Sequence, residues 1–188
     1  MDILIDLDNI LVDTYKIWLK AYNLFYLPKG AGEVKIEDLT NFEMDKNKNV
    51  NGNIWKIIDS DGFFKDLPEI EGGVWAVEKL QKAGHNVIIC SSPSKNIGSW
   101  TDKIYWIQNH LKIMSNKNII LTGSKQLVMA DILIDDSPKN AYNWRKKNPK
   151  GIVAQINWPY NLNSVAQIKA DSWEDTKSAW QTILGKIL

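Results

Sequence analysis

Cysteine, histidine and long apolar runs are scarce in this sequence, and each scarcity excludes a class of protein. The single cysteine, Cys90, rules out an internal disulfide and any metal site built from several cysteines. Acidic residues interrupt the first apolar run before it reaches the length of a signal peptide, and no run approaches a transmembrane span. We therefore expect a cytoplasmic protein without a membrane partner.

An excess of either charge is also lacking. The 188 residues include 23 basic and 22 acidic ones, which gives a net charge of +1 without a basic run. Such a surface offers a nucleic-acid backbone no long-range attraction, so we expect a small charged metabolite as ligand and no stable nucleic-acid complex. A content of 44% hydrophobic residues supports one compact unit with room for a small inserted subdomain, and leaves a homodimer open.

Several catalytic motifs are missing as well. The Gly-x-Lys segment that ends at Lys125 lacks the upstream glycine of a Walker phosphate loop. Asn96 stands six residues after Cys90, where a cysteine phosphatase needs an arginine. His85 and His110 fall at a helix exit and inside a helix pattern, which predicts surface positions rather than a histidine-dependent active site.

The first strand pattern, ILIDLDN at residues 3–9, ends in two carboxylates, Asp6 and Asp8. Side chains two apart on a strand point to one side, so both carboxylates should face a common point. Like charges that close repel unless a cation lies between them, which indicates Mg²⁺ and a phosphate ligand. Taken alone, the pattern is also typical of an ordinary solvated loop after a strand.

A second acidic strand end makes coincidence a weaker explanation. ADILIDDSP at residues 130–138 closes on Asp135 and Asp136, and VIICSSPSK at residues 87–95 ends in the hydroxyls of Ser91 and Ser92. In open α/β sheets the ligand crevice lies at the carboxyl ends of the strands. We therefore expect the acidic pairs and Ser91 to converge on one site.

Strand patterns alternate with helix patterns along the chain, which predicts an α/β fold with a doubly wound parallel sheet. Strands are expected within residues 3–9, 87–95, 118–122, 130–138 and 151–156. Helices are expected over residues 13–25, 73–83 and 137–147, around Ile104, Ile107, Leu111 and Met114, and after a capping box formed by Ser172 and Asp175.

Residues 33–66 are polar and poorly periodic, and are predicted to form a small helical cap inserted after the first strand, with residues 1–32 and 67–188 as the core. Four aromatic residues in this part of the chain could stack on a base or form the core of the lid: Phe42, Trp55, Phe63 and Phe64. Tryptophans in helix patterns are expected to pack on the sheet, namely Trp18, Trp75, Trp106 and Trp180. The pattern assigns no place to Trp100, Trp144, Trp158 and Trp173.

Three segments together resemble the haloacid dehalogenase (HAD) superfamily, most closely its 5′(3′)-deoxyribonucleotidases. They are ILIDLDNILVD, IICSSPSK and IILTGSKQLVMADILIDD, in that order, and the match spans most of the chain. The resemblance implies a HAD-like, Rossmann-type core and a Mg²⁺-dependent phosphomonoesterase acting on nucleoside monophosphates through an aspartyl phosphate. Asp6 would be its nucleophile and Asp8 its general acid.

The same resemblance implies roles for six further positions. Ser91, Ser92 and Lys95 match the phosphate-binding loop, and Lys125 matches the lysine that neutralises phosphate and intermediate. Asp136, assisted by Asp135, matches the acidic Mg²⁺ site, to which Asp6 and Asp8 would also contribute.

Three positions depart from the family pattern. Asn9 replaces a usual glycine, and since asparagine tolerates a left-handed turn best among the other residues, we expect the turn to survive. Ser91 replaces a frequent threonine and keeps the hydroxyl. Thr14 stands where relatives often carry an aromatic residue near the base, which leaves base preference open.

Rival functions predict different sequence features. A signalling receiver domain would carry its acidic pair near the first strand and would have no place for the insertion at 33–66. A catalytically silent binding module is disfavoured because every expected reactive position is filled. A related phosphatase acting on sugar phosphates or nucleic-acid ends stays open as the main alternative, since specificity in this superfamily lies in the cap.

Overall fold

A sheet of six parallel strands forms the centre of the molecule, in a computed structural model that describes residues 1–111 and 115–175. The strands are β1 (Asp2–Ile5), β2 (Asn86–Ser91), β3 (Ile119–Leu121), β4 (Ile132–Ile134), β5 (Ile152–Ile156) and β6 (Ile168–Ala170). They lie in the order β3-β2-β1-β4-β5-β6, which confirms the predicted doubly wound sheet. Strand β6 was not predicted, because its three residues include a lysine and form no recognisable apolar run.

Five α-helices connect the strands in the described parts of the chain. They are α1 (Thr14–Phe25), α2 (Ile54–Ile58), α3 (Gly73–Lys82), α4 (Gly98–His110) and α5 (Pro138–Lys147). The Asp13 side chain accepts a hydrogen bond from the Lys16 amide and caps α1, and Ser137 caps α5 in the same way, with Pro138 in the first turn as predicted. None of the helices described is long and apolar enough to cross a membrane.

Two helix predictions need correction or fall outside the described residues. Helix α4 begins at Gly98 and ends at His110, so Leu111 follows it rather than belonging to it, and Met114 lies outside the described residues. Residues 172–175 form a turn, and the rest of the helix predicted there also lies outside them.

The alternation of side chains along the strands divides the core between the two faces of the sheet. Ile3 and Ile5 belong to a large cluster with residues of α1, α3 and α4, whereas Leu4 packs with Trp144 of α5. Trp18 and Trp106 are fully buried, as expected. The prediction for Trp75 is wrong, because its side chain is 49% exposed on the outer side of α3, and Trp180 lies outside the described residues.

The segment between α1 and α3 contains short helices and no strand. It holds two 3₁₀ turns, Ile36–Asp38 and Met44–Lys46, followed by α2. The Tyr22 hydroxyl of α1 donates to the Asn49 carbonyl (3.1 Å) and accepts from the Asn51 amide (2.9 Å). These bonds join the segment to the helix that precedes it.

Candidate active site

The pairing of β1 with β4 brings two acidic strand ends together. Ile5 is paired with Ile134, and the Asp6 amide donates to the Ile134 carbonyl at 2.8 Å. As a result Asp6, Asp135 and Asp136 each place a carboxylate oxygen within 4.8 Å of the others, and all three side chains are buried. The strand order reverses between β1 and β4, which is where open α/β sheets bind their ligands.

Lys125 lies between two of these carboxylates. Its Nζ is 2.7 Å from Asp6 Oδ1 and 2.7 Å from Asp135 Oδ2. Burial lowers the pKa of Lys125, but Asp135 and Asp6 outweigh that effect and hold the pKa well above its ordinary value. Burial raises the pKa of Asp135 to about 6, against the opposing influence of Lys125. The lysine is therefore a permanent cation that partly neutralises the cluster.

Asp135 has both of its oxygens engaged by the protein. Oδ2 accepts from Lys125, Oδ1 accepts from the Ser137 amide at 2.9 Å, and the Asn140 amide group reaches both oxygens at 3.1 and 3.2 Å. These bonds fix the start of α5 to the cluster. They make Asp135 chiefly an anchor for Lys125.

Asp136 differs from Asp6, Asp8 and Asp135 in forming no ion pair with a lysine of the described residues. Burial, and then the charges of Asp6 and Asp135, raise its pKa well above the ordinary value. Its Oδ2 accepts hydrogen bonds from Asn9 Nδ2 at 3.1 Å and from the Tyr160 hydroxyl at 2.5 Å. Neither donor carries a full charge, so a cation would be favoured here.

The cluster suits a hard divalent cation, because such ions prefer oxygen ligands and carboxylates above all. Asp6 and Asp136 have the capacity to bind it, and Asp135 completes the acidic group. Asp8 is not part of this cluster, so its predicted role as a ligand stays a prediction.

Asp8 instead forms an ion pair with Lys103, a residue for which no role was predicted. Lys103 Nζ contacts Asp8 Oδ2 and donates to Ser91 Oγ at 3.0 Å, and it lies 4.3 Å from the centre of the Phe64 ring. The lysine is fully buried. A signal was present, since Lys103 precedes the buried Trp106 by one helical turn and so falls on the apolar face of α4.

The surroundings of Asp8 suit a group that exchanges a proton. Burial raises its pKa, Lys103 lowers it, and Asp6 raises it again, with a net increase over the ordinary value. Ser91 Oγ is 3.5 Å from Asp8 Oδ2, whereas no donor among the described residues reaches the buried Oδ1. A carboxyl that has a raised pKa, is held by Lys103 and borders the cavity can act as a general acid.

Replacing Lys103 by methionine is expected to move the pH profile of phosphate release to higher pH. The charge of Lys103 lowers the pKa of Asp8, so removing the lysine raises that pKa. Each part of the pH profile that depends on the protonation of Asp8 then moves to higher pH. The rate at neutral pH should fall ~10²-fold, the lower end of what a positioned acid–base group contributes. Lys82→Met, on the exposed face of α3, is the matched control. An unchanged profile would contradict the role of Lys103.

The remaining predicted residues lie around the same opening. Asp6 and Asp8 line a cavity of about 310 Å³ together with Ser92 and Lys95, whereas Ser91 is fully buried behind Asp8. Ser92 Oγ donates to the Thr122 carbonyl at 3.0 Å, which leaves its lone pairs but not its proton for a ligand. Ser91 is the last residue of β2 and the others follow β1 or β2, so all of them lie at the same edge of the sheet.

The turn after β1 has the conformation expected from Asn9. This residue has a φ of +55°, in the left-handed region, so the expectation that the turn survives without glycine is confirmed. The Thr14 hydroxyl donates to Asn9 Oδ1, which turns the amide nitrogen towards Asp136. Thr14 therefore supports the acidic cluster, although it also borders the cavity.

Apolar side chains from the segment at 33–66 form the opposite wall of the cavity. They are Phe42, Met44, Trp55, Ile58, Phe63 and Phe64. Phe64 is buried and packs edge-on against Phe63 at 4.9 Å, whereas Trp55 is 42% exposed. All four aromatic residues face the space beside the carboxylates, and Phe42, Phe63 and Phe64 also belong to the hydrophobic core.

Asn96 joins the two walls of the cavity. Its side-chain amide donates to the Asp59 carbonyl at 3.0 Å and to Asp61 Oδ1 at 2.6 Å, just after α2. Its Oδ1 accepts from the Gly98 amide at 2.8 Å. The loop that carries Ser92 and Lys95 is thereby held to the end of α2.

Cys90 has no part in this site. Its side chain is fully buried in β2, and burial raises the pKa of the thiol to about 11. A thiol with so little thiolate at neutral pH is a poor nucleophile, as the sequence analysis expected.

The sheet order, with acidic strand ends at its switch point, is that of a HAD-like α/β fold. A HAD family hydrolase from Deinococcus radiodurans, crystallised with bound phosphate and sodium, has a TM-score of 0.56 at 13% identity, over 82% of this chain and 79% of its own. A haloacid dehalogenase-like hydrolase from Burkholderia xenovorans has a TM-score of 0.55 at 11% identity, over 91% and 92%. These likenesses confirm the fold.

Sequence comparison narrows the class to one family. The chain belongs to the family described as 5′ nucleotidase, deoxy (pyrimidine), cytosolic type C protein (NT5C), whose profile matches residues 1–185. A 5′(3′)-deoxyribonucleotidase of Bacillus subtilis is 27% identical over 173 residues, 92% of this chain and 94% of that protein. One from Clostridium acetobutylicum is 28% identical over 180 residues, 95% and 94%. The chain is therefore a phosphoric monoester hydrolase of the 5′-nucleotidase type.

Proposed function

We propose that this protein is a Mg²⁺-dependent phosphomonoesterase of the cytoplasm that hydrolyses deoxyribonucleoside monophosphates through an aspartyl phosphate on Asp6. The observation that carries the proposal is the meeting of Asp6, Asp8, Lys125 and Asp136 at the switch point of the sheet, beside a cavity with an apolar wall. The names of the relatives support the nucleotide substrate.

In the proposed mechanism Asp6 Oδ attacks the phosphorus, because a carboxylate needs no prior deprotonation to act as a nucleophile. Lys125 holds Asp6 in place and offsets part of the repulsion between two anions. Mg²⁺, when bound by Asp6 and Asp136, would supply the further positive charge that phosphoryl transfer requires. Lys95 would bind the phosphoryl oxygens, and Ser92 would join it if its hydroxyl turned from the Thr122 carbonyl to the phosphate.

Asp8 is proposed to protonate the leaving nucleoside oxygen. Burial raises its pKa, which keeps a larger share of this carboxyl protonated, and Lys103 and Ser91 hold it in place. Once the nucleoside has left, the same carboxylate would take a proton from the water that hydrolyses the aspartyl phosphate. Both steps would use one residue, and the cycle returns Asp8 to its starting protonation state.

The segment at 33–66 is proposed to act as the cap, with residues 1–32 and 67–188 as the core. Its apolar wall would pack on the base and sugar while the core performs the chemistry. A 2′-hydroxyl brought against that wall would lose its water without a matching partner, which would favour deoxyribonucleotides.

A panel of phosphate esters, assayed with and without EDTA, tests the proposal. Phosphate release from deoxyribonucleoside monophosphates is expected to exceed release from sugar phosphates by ~10-fold or more, which is within the discrimination that an apolar pocket provides. EDTA should abolish the activity, and added Mg²⁺ should restore it. Equal turnover of sugar phosphates would favour the broader phosphatase alternative, and activity that resists EDTA would contradict the metal requirement.

A further inference from the structure

The segment that follows β5 forms hydrogen bonds with two loops of the active site. Trp158 Nε1 donates to the Asn9 carbonyl at 2.9 Å, and the Tyr160 hydroxyl donates to Asp136 Oδ2 at 2.5 Å. Asn161 Nδ2 donates to the Asp136 carbonyl at 3.0 Å, and its Oδ1 accepts from the Trp158 amide. One short turn thus holds both the loop after β1 and the loop after β4.

The bonds to Asp136 are distributed unequally between its two carboxylate oxygens. Oδ2 accepts from both Tyr160 and Asn9, and the Thr14 hydroxyl fixes the orientation of the Asn9 amide. No donor in the described ranges, 1–111 and 115–175, reaches Oδ1, and Asp136 borders the cavity. The carboxylate is therefore held by one oxygen and has the other available to a ligand.

Tyr160 is itself held firmly. Its side chain is 8% exposed, and its ring packs against Tyr15 and Phe42 with centroid distances of 5.5 Å in both cases. An aromatic ring has few rotatable bonds, so this packing leaves the hydroxyl little freedom away from Asp136. Such rigidity is what a residue needs if its task is to orient another side chain.

We infer that Tyr160 is a positioning residue for the divalent-metal site, which it serves by holding Oδ2 of Asp136 so that Oδ1 is presented to the ion. This inference rests on the proposed function, since it assumes that Asp136 binds a metal. A hydrogen-bond donor also withdraws electron density from a carboxylate and so weakens its attraction to a cation. Orientation outweighs that effect, because removing outer partners of metal ligands typically costs ~10–100-fold in affinity.

The test is a titration of the substrate-free protein with Mn²⁺, in which electron paramagnetic resonance measures the free ion. Tyr160→Phe removes only the hydroxyl and is expected to weaken Mn²⁺ binding ~10-fold. Thr14→Val, which frees the Asn9 amide, should weaken it in the same direction. In activity assays the Mg²⁺ concentration for half-maximal rate should rise by the same factor in Tyr160→Phe, while kcat at saturating Mg²⁺ changes little.

Tyr22→Phe is the matched control. Its hydroxyl is equally part of a buried side chain and forms two hydrogen bonds, to Asn49 and Asn51, but it lies outside the acidic cluster. Loss of stability without a change in Mn²⁺ affinity is expected for this variant. If the role of Tyr160 were purely structural, Tyr160→Phe would also lose stability without a change in Mn²⁺ affinity.

The possible results separate this inference from the function on which it rests. If the wild-type protein binds Mn²⁺, Asp136→Asn does not, and Tyr160→Phe binds as tightly as the wild type, the inference is wrong and the proposed function stands. If the wild-type protein binds no Mn²⁺, or Asp136→Asn binds it normally, the proposed metal site is wrong and the inference falls with it.

Discussion

Replacing Asp6 by asparagine is expected to lower the rate of phosphate release by more than ~10⁴-fold, because the loss of a nucleophile alone disables a catalytic unit. The amide is similar in size to the carboxylate, and Lys125 keeps its second partner, Asp135, so the fold should persist. Circular dichroism and thermal unfolding would verify that. Rapid acid quenching after reaction with a ³²P-labelled nucleotide should trap label on the wild-type protein and none on the variant.

Asp66→Asn provides the control for this experiment, since it makes the same chemical change at an exposed position. It should retain normal turnover and normal labelling. If Asp6→Asn kept a tenth or more of the wild-type activity, or still became labelled, another residue would have to be the nucleophile.

Replacing Lys125 by methionine is expected to cause the largest loss of stability among single substitutions at this site. The variant leaves Asp6 and Asp135 without their shared cation, and both side chains are buried. Breaking a buried ion pair by removing one partner costs ~3–5 kcal/mol in the free energy of unfolding. For a domain of this size that corresponds to roughly 10 °C in melting temperature. Urea unfolding at several pH values would measure both the loss and its pH dependence.

The sign of that pH dependence follows from Asp135. Its pKa already lies at about 6 because of burial, and Lys125 opposes the increase, so removing the lysine raises the pKa further. The folded variant then binds a proton that the unfolded chain releases, which means that its stability falls as the pH rises. The deficit should be greatest at about pH 8 and smallest near about pH 4, the unfolded pKa of aspartate. A deficit independent of pH, or one matched by Lys82→Met, would contradict this account.

The acidic positions were predictable because their signals are local. Each follows a short apolar run that can only be a strand, and the rule that parallel strands share one carboxyl edge brings Asp6 close to Asp136. The caps of α1 and α5 were predictable for the same reason, since a capping side chain bonds within its own turn. No knowledge of long-range packing was required.

The supporting groups were harder to predict, because they come from distant segments. Lys103 lies 95 residues after Asp8 and Tyr160 lies 24 residues after Asp136, so only the folded sheet makes them neighbours. The sequence holds one signal for Lys103, which is its position on the buried face of a helix. It holds no signal for Tyr160, because a tyrosine after a strand is an ordinary core residue.

Some boundaries also depended on context outside the local pattern. Helix α4 begins six residues before the first apolar position that predicted it, because the Asn96 side chain and the Ser94 region order its first turn. Strand β6 forms because its three residues, Lys169 among them, pair with β5 at the edge of the sheet. Neither the start of α4 nor the pairing of β6 with β5 has a sequence signal of its own.

The hydrogen bonds of Asn96 have a consequence for how this enzyme could diverge from its relatives. The side chain of Asn96 links the loop that carries Ser92 and Lys95 to the end of α2, and these two parts line different walls of the cavity. The spacing of the two walls therefore depends in part on a residue that lies outside the acidic cluster. Substitution of Asn96 could therefore change which phosphate esters the enzyme accepts while Asp6, Asp8 and Asp136 stay in place.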